Sequence, residues 1–245
     1  MASRSSIAKI TDHLYLCGAS AITHQRLVRH GITHIINSTN DVPTIQVPGI
    51  QSIRVHVDDH PRARLDVHFD RVADEISHIA SIGGKVVVHC AVGVSRSATL
   101  CIVYLMKQHK MTLVMAHDYV RGRRPIIRPN CGFWKQLIDY ERKLFGRTTV
   151  KMINSVAGPI PDVYKEFFQD VEEDIALADA SATTDENIRL SQIHQNIEPF
   201  YDMSVSQAVD YYHLGTFDLG DFLLTDFKDE NVEPERFTAP FKMRI

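Results

Sequence analysis

Val88-His89-Cys90-Ala91-Val92-Gly93-Val94-Ser95-Arg96-Ser97 is the stretch from which the rest of the chain is read. It closes an apolar run (Val86, Val87, Val88), passes through a short loop, and opens a helix near Ser97. A cysteine reacts as its thiolate, and a helix N-terminus with converging N–H donors favours that form. Ala91, Val92, Gly93, Val94 and Ser95 are small or β-branched, with Gly93 allowing a tight bend. A loop of this size can curl with its backbone N–H groups inward, a cradle for a tetrahedral oxyanion. Arg96 adds a planar fork that grips two of its oxygens. Together these parts describe a phosphate site with the nucleophile Cys90 at its base.

A bare Cys-x5-Arg is a cheap pattern in a chain with four cysteines and 17 arginines. Requiring His before Cys, Gly three residues after it and Ser or Thr after Arg lowers the chance expectation to about 1 in 10,000. The run H-C-A-V-G-V-S-R-S resembles the signature loop of the cysteine-dependent protein tyrosine phosphatase superfamily. The text after Arg96, S-A-T-L-C-I-V-Y-L-M-K, is similar to its dual-specificity branch. The resemblance covers about residues 7–146 and implies that branch's α/β fold. With no rhodanese-like docking domain ahead of it, the chain resembles the small atypical members.

Bulk composition is that of an ordinary soluble protein, with 44% apolar and 23% charged residues and a net charge of −3. The near-neutral total hides a division. Residues 1–150 carry 20 Lys+Arg against 11 Asp+Glu, a balance of +9, and residues 151–245 carry 7 against 19, a balance of −12. The expected organisation is a catalytic domain over 1–150, large enough for its own core, and an acidic tail over 151–245. The tail reads as mostly disordered with short helices at 162–180 and 204–214. Phe217, Phe222 and Phe227 recur among its aspartates, so it is expected to bind an unidentified partner or to dock on the basic face.

All four cysteines lie in the first part without metal-ligand spacing, which suits thiol chemistry in a reducing compartment and implies neither metal nor cofactor. No secretory h-region, myristoylation pattern, prenylation box or membrane-spanning run is visible. The expected location is cytoplasmic or nuclear, with the Asn37-Ser38-Thr39 sequon unglycosylated.

Along the chain, Ile7 to Gly18 reads as an opening strand pair, and Ser20 as the cap of a short helix that Gly31 stops. Strands follow at 32–36 and 53–57. Leu65, Phe69, Val72, Ile76 and Ile79 then mark an amphipathic helix ended by Gly83-Gly84. Residues 85–89 form the buried strand that delivers the cysteine. Three helices follow: a central one over about 97–109, one capped by Thr112, and one capped by Asn130. The expected fold is an α/β sandwich with a short, largely parallel sheet flanked by helices.

Cleaving a phosphate ester with a thiolate needs a group to protonate the leaving oxygen, and Asp58 and Asp59 in V-D-D-H-P are the candidates. The resemblance selects Asp59, 31 residues before Cys90. It also implies a phosphocysteine formed by Cys90, equatorial oxygens held by Arg96 and the loop amides, and Ser97 as hydrogen-bond donor to the departing thiolate. Ser97 read alone is a helix cap. His89 read alone is a general base; the resemblance makes it a structural partner that orders the loop and tunes Cys90. Asn130 can brace the loop or merely cap its helix, and capping is expected. Arg121, Arg123, Arg124 and Arg128 form a basic cluster, in which Arg124 falls where related enzymes contact phosphosubstrate.

The function implied is dual-specificity hydrolysis of phosphotyrosine and phosphoserine or phosphothreonine in proteins. The alternatives are a superfamily member acting on phosphoinositide or RNA, or a phosphoprotein-binding scaffold. Ala91, Val92, Val94 and Ser95 add no positive charge to the loop, which weighs against a highly charged substrate, and no nucleic-acid partner is expected.

Overall fold

The structure is a computed structural model of the full chain, described here over residues 6–155 and 158–166. Its centre is a five-stranded sheet in the order β1-β2-β5-β3-β4, built from β1 (Ala8–Lys9), β2 (Leu14–Gly18), β3 (His34–Asn37), β4 (Gln51–Arg54) and β5 (Val86–Cys90). Only β1, against β2, is antiparallel. β5 is the middle strand, buried on both faces, which is why it reads as a continuous apolar run. Successive side chains alternate: Val86 and Val88 join the larger core, and Val87 the smaller one on the opposite face.

The smaller core lies under α1 (His24–His30), whose Leu27 packs with Tyr15, Cys17 and Ile35. The larger one is covered by α2 (Phe69–Ser81), α3 (Arg96–His109), α4 (Leu113–Arg123) and α5 (Cys131–Phe145). α3 packs against α2, α4, α5 and β5, and its residues from Arg96 to Met106 are all buried. That explains its apolar text on every side. The expected largely parallel α/β sheet with flanking helices is therefore what the chain forms. Among the described residues no helix is long and apolar enough to cross a membrane.

The caps follow local chemistry. The Thr112 side chain accepts from the Met115 N–H, and that of Asn130 from the Phe133 N–H. Gly31 and Gly146 close α1 and α5 in the left-handed conformation. Two expectations shift. Thr23, not Ser20, caps α1, because Ser20 lies inside a single 3₁₀ turn over Ala19–Ala21. The strand expected at 53–57 instead occupies Gln51–Arg54. β4 pairs only with β3, and that ladder ends where Asn37 meets Arg54. Val55 and Val57 remain buried but continue as the extended arm leading to Asp58 and Asp59.

A third difference lies past residue 150. There β6 (Met152–Ser155) and β7 (Gly158–Pro161) form an antiparallel pair followed by a 3₁₀ turn at Asp162–Tyr164. Val150, Ile160 and Tyr164 belong to the larger core. Glu141, fully buried on α5, fastens this segment: it accepts from the Leu113 N–H at 2.7 Å and the Thr149 N–H at 2.6 Å. Chain assigned to the tail thus packs into the domain core at least as far as Tyr164, because it carries apolar groups that the sheet and helices leave room for. The expected helix at 162–180 is described only in its first turn. The one at 204–214 and the phenylalanine run lie outside the described residues.

Candidate active site

β5 ends at Cys90 and α3 begins at Arg96, so the five loop residues have to turn the chain within a few ångströms. Each of their carbonyls is held from outside the curl. Ala91 O accepts from the Ala19 N–H at 3.0 Å and Val94 O from the Arg128 N–H at 2.8 Å. Gly93 O accepts from Arg124 Nε at 2.8 Å and Val92 O from Arg124 Nη2 at 3.1 Å. Ser95 O accepts from both the N–H and the hydroxyl of Thr99, each at 2.9 Å. The carbonyls are fixed on the rear, and on the front the Gly93 N–H reaches Cys90. Gly93 has φ +75°, and a Cβ there would overlap the carbonyl of Cys17; only glycine allows so close a seat on β2.

Two donors reach the Cys90 sulfur: the Gly93 N–H and the Ser97 hydroxyl, both at 3.2 Å. Both are placed to hold charge that returns to the sulfur as it leaves phosphorus. Ser97 is the second residue of α3 and fully buried, so its hydroxyl serves the sulfur and not the helix cap. His89 is also buried, and burial lowers its pKa to about 4, leaving the ring neutral at pH 7. Its Nδ1 lies 3.3 Å from the carbonyl of Cys90, and its own carbonyl accepts from the Ser38 hydroxyl at 2.7 Å and the Ser38 N–H at 2.8 Å. These contacts order the strand end.

Asp59 and Asp58 part company. Asp59 is buried against the loop, where its Oδ1 accepts from the Ser95 hydroxyl at 2.7 Å and from Asn130 Nδ2 at 3.0 Å. Asp58 is exposed and accepts from Asn40 Nδ2. Asn130 therefore braces the site as well as capping α5. Gly132 secures the same arrangement, since a Cβ there would overlap the carbonyl of Pro61, in the turn that follows Asp59.

The Arg96 guanidinium is buried beside these groups. Its Nη1 donates to Val57 O at 3.3 Å, and its Nε stands 3.5 Å from Asp59 Oδ2, an ion-pair distance too long for a hydrogen bond. A buried N–H without a good acceptor is suited to an arriving oxyanion.

The expectation for Arg124 is corrected. It is fully buried behind the loop, with donors directed to Val92, Gly93 and Ser6 carbonyls, so it supports the cradle and does not reach a substrate. The rest of the basic cluster is also occupied: Arg123 lies over the Tyr119 ring, Arg121 near that of Tyr164. Sequence reasoning missed Ser38 and the link from Ser95 to Asp59; neither has a local signal, because both depend on strands and turns distant in sequence. Among the described residues no three His, Cys, Asp or Glu side chains are grouped to hold a metal ion. None of the four cysteines is in a disulfide.

The arrangement can hold a tetrahedral anion over an activated sulfur, with a carboxyl group alongside to exchange a proton. Comparison with known proteins agrees with that chemistry. The model of the dual specificity phosphatase catalytic domain matches residues 14–143. Human dual specificity protein phosphatase 14 is 48% identical over 161 residues, covering 65% of this chain and 81% of that protein. Human dual specificity protein phosphatase 21 is 48% identical over 162 residues, covering 66% and 85%. Among solved structures, human DUSP28 superposes with a TM-score of 0.55 at 34% identity, over 56% of this chain and 94% of that one.

Proposed function

Because this chain belongs to the dual specificity phosphatase family, a family of protein-phosphate hydrolases, we propose that residues 90–96 cleave phosphoprotein monoesters through a phosphocysteine. The observation that carries the reading is the paired donation of the Gly93 N–H and the Ser97 hydroxyl to the Cys90 sulfur, inside a loop whose carbonyls all face away.

In the first step the Cys90 sulfur attacks phosphorus in line with the ester oxygen of tyrosine, serine or threonine. The P–S bond forms, the P–O bond breaks, and Asp59 gives the leaving oxygen its proton. Arg96 and the N–H groups of Ala91 to Arg96 hold the three equatorial oxygens as charge redistributes. In the second step Asp59 takes a proton from water, the hydroxide attacks phosphorus, and the thiolate leaves onto the Ser97 and Gly93 donors. Asn130 and Ser95 keep the Asp59 carboxyl aimed at the loop between steps.

The catalytic domain in this reading extends through Tyr164, and the acidic remainder is an appendage available to a partner. A free thiolate as nucleophile suits the reducing cytoplasm or nucleus.

The test is turnover of phosphotyrosine and phosphothreonine peptides beside a phosphoinositide and a 5′-triphosphate RNA. Only the peptides should be hydrolysed. Cys90→Ser should lose activity while keeping its fold, and more than about 1% residual turnover would remove Cys90 from the nucleophile role. Asp59→Ala should lower kcat by about 10² on poor leaving groups. Asp58→Ala should change it little, and the reverse order would move the acid to Asp58.

A further inference from the structure

Arg96 stands between two carboxylates. Asp59 Oδ2 is 3.5 Å from its Nε, and Asp41 Oδ1 is 3.9 Å from its Nη1. The side chains of Arg96 and Asp59 are each 3% exposed, and that of Asp41 is 63% exposed. Asp41 is thus the carboxylate on the solvent side of the guanidinium.

The loop that carries it is firmly fixed. Arg54 donates from Nη1 to Asn40 O, and from Nη2 to Val42 O and Thr44 Oγ1. Asn37 Nδ2 donates to Val42 O at 2.9 Å, and the Thr39 hydroxyl donates to Asn37 Oδ1 at 2.7 Å. None of these bonds uses the Asp41 carboxylate. Its neighbour Asn40 donates to Asp58, which places a second exposed carboxylate on the same rim. Beside the Arg96 guanidinium the fold thus presents an exposed charge that makes none of the hydrogen bonds fixing its own loop.

We propose that Asp41 is a specificity-determining residue that selects substrates by the charge flanking the phosphorylated residue, favouring Lys or Arg there over Asp or Glu. The proposal rests on Arg96 as the phosphate-binding residue. A phosphate seated on Arg96 brings the neighbouring residues, at about 3.8 Å per Cα step, within reach of Asp41. The arriving dianion competes with Asp41 for the guanidinium. A basic flank gives the displaced carboxylate a new partner, whereas an acidic flank adds a second repulsion. The selection acts on binding, so it belongs in KM.

The experiment uses the full chain and two phosphotyrosine peptides that differ only in having Arg or Glu on both sides of the phosphotyrosine. Asp41→Asn should shift the ratio of kcat/KM (Arg peptide over Glu peptide) toward Glu by about two- to fivefold, the range of an exposed ion pair, through KM. Asp41→Glu should retain the wild-type ratio, and the Asp41→Asn shift should shrink at high salt. Inorganic phosphate should inhibit Asp41→Asn more tightly than wild type. Hydrolysis of both peptides with the same ratio in wild type and Asp41→Asn overturns the role of Asp41 and leaves the phosphatase reading standing. Hydrolysis of neither peptide by wild type overturns both.

Discussion

Arg96 and Arg124 are both buried, both charged, and both within reach of the same five-residue loop, yet their surroundings are opposite. Arg124 lies behind the loop with its donors on carbonyl oxygens at 2.8 to 3.2 Å. Arg96 lies in front with one long hydrogen bond, to Val57 O at 3.3 Å, and an Nε with no partner of good geometry. The rear arginine completes the fold's hydrogen bonding, and the front one leaves it incomplete. Burial and residue type alone do not separate a structural cation from a functional one. The separation comes from whether the fold itself satisfies the donors.

The sharpest way to break this contrast is to truncate each arginine. Arg96→Ala should lower kcat/KM by about 10³ or more, since it removes an oxyanion donor in a buried site. The same change should leave the urea midpoint of unfolding close to wild type. Arg124→Ala should cost about 3 kcal/mol of stability, because it orphans the carbonyls of Gly93 and Val92 in the interior. A stability loss in Arg96→Ala as large as that in Arg124→Ala would dissolve the distinction.

The rear face extends further than the loop. Arg124 is the residue at the C-terminal end of α4, and α4 is held at its N-terminus by Glu141 and at its middle by His117. His117 packs against both Trp134 and Tyr164, which also touch each other, and burial lowers its pKa while pushing that of Tyr164 up to about 12. The β6–β7 segment therefore braces the helix that braces the loop. Ending the chain after residue 150 removes Ile160 and Tyr164 from the core, which should cost about 3 kcal/mol in a urea titration. Ending it after residue 166 keeps those contacts and should keep the full-length midpoint. Equal midpoints for the two truncations would show that the segment contributes nothing to the rear support.

What could be read from the sequence follows the range of the interactions involved. Cys90, Gly93, Arg96 and Ser97 sit within eight consecutive residues, and the caps at Thr112, Asn130, Gly31 and Gly146 bond to residues a turn away. Local chemistry of this kind leaves a local signature. Arg124 was misjudged because its partners are Ser6, Val92 and Gly93, brought together by the sheet and invisible in a run of four arginines. Asp41 and Ser38 escaped for the same reason: both lie past the end of β3, and the β3–β5 pairing sets one against Arg96 and the other against His89. The boundary at 150 followed a change in charge balance, which reports on the surface and not on which apolar groups the core receives.

His89 offers the smallest of these effects and separates a fold-satisfying role from a catalytic one by its pH dependence. Burial takes its pKa from the ordinary histidine value near 6.5 to about 4, and the charges of Arg54 and Arg96 act in the same direction. Between those values the unfolded chain binds a proton that the folded chain does not. Unfolding therefore takes up protons in this window, and stability falls as the pH drops from 6.5 toward 4. At pH 5 the loss from this residue is about 2 kcal/mol relative to pH 7. His89→Gln keeps a polar side chain near the Cys90 carbonyl without a titrating ring. Its urea midpoint should fall less steeply than wild type between pH 6.5 and 5, with the two curves parallel above pH 7. If His89 were instead the base that activates Cys90, the same variant would lose most of its turnover at pH 7. The neutral ring, its position on the Cys90 carbonyl, and the Ser97 hydroxyl at the sulfur favour the first outcome.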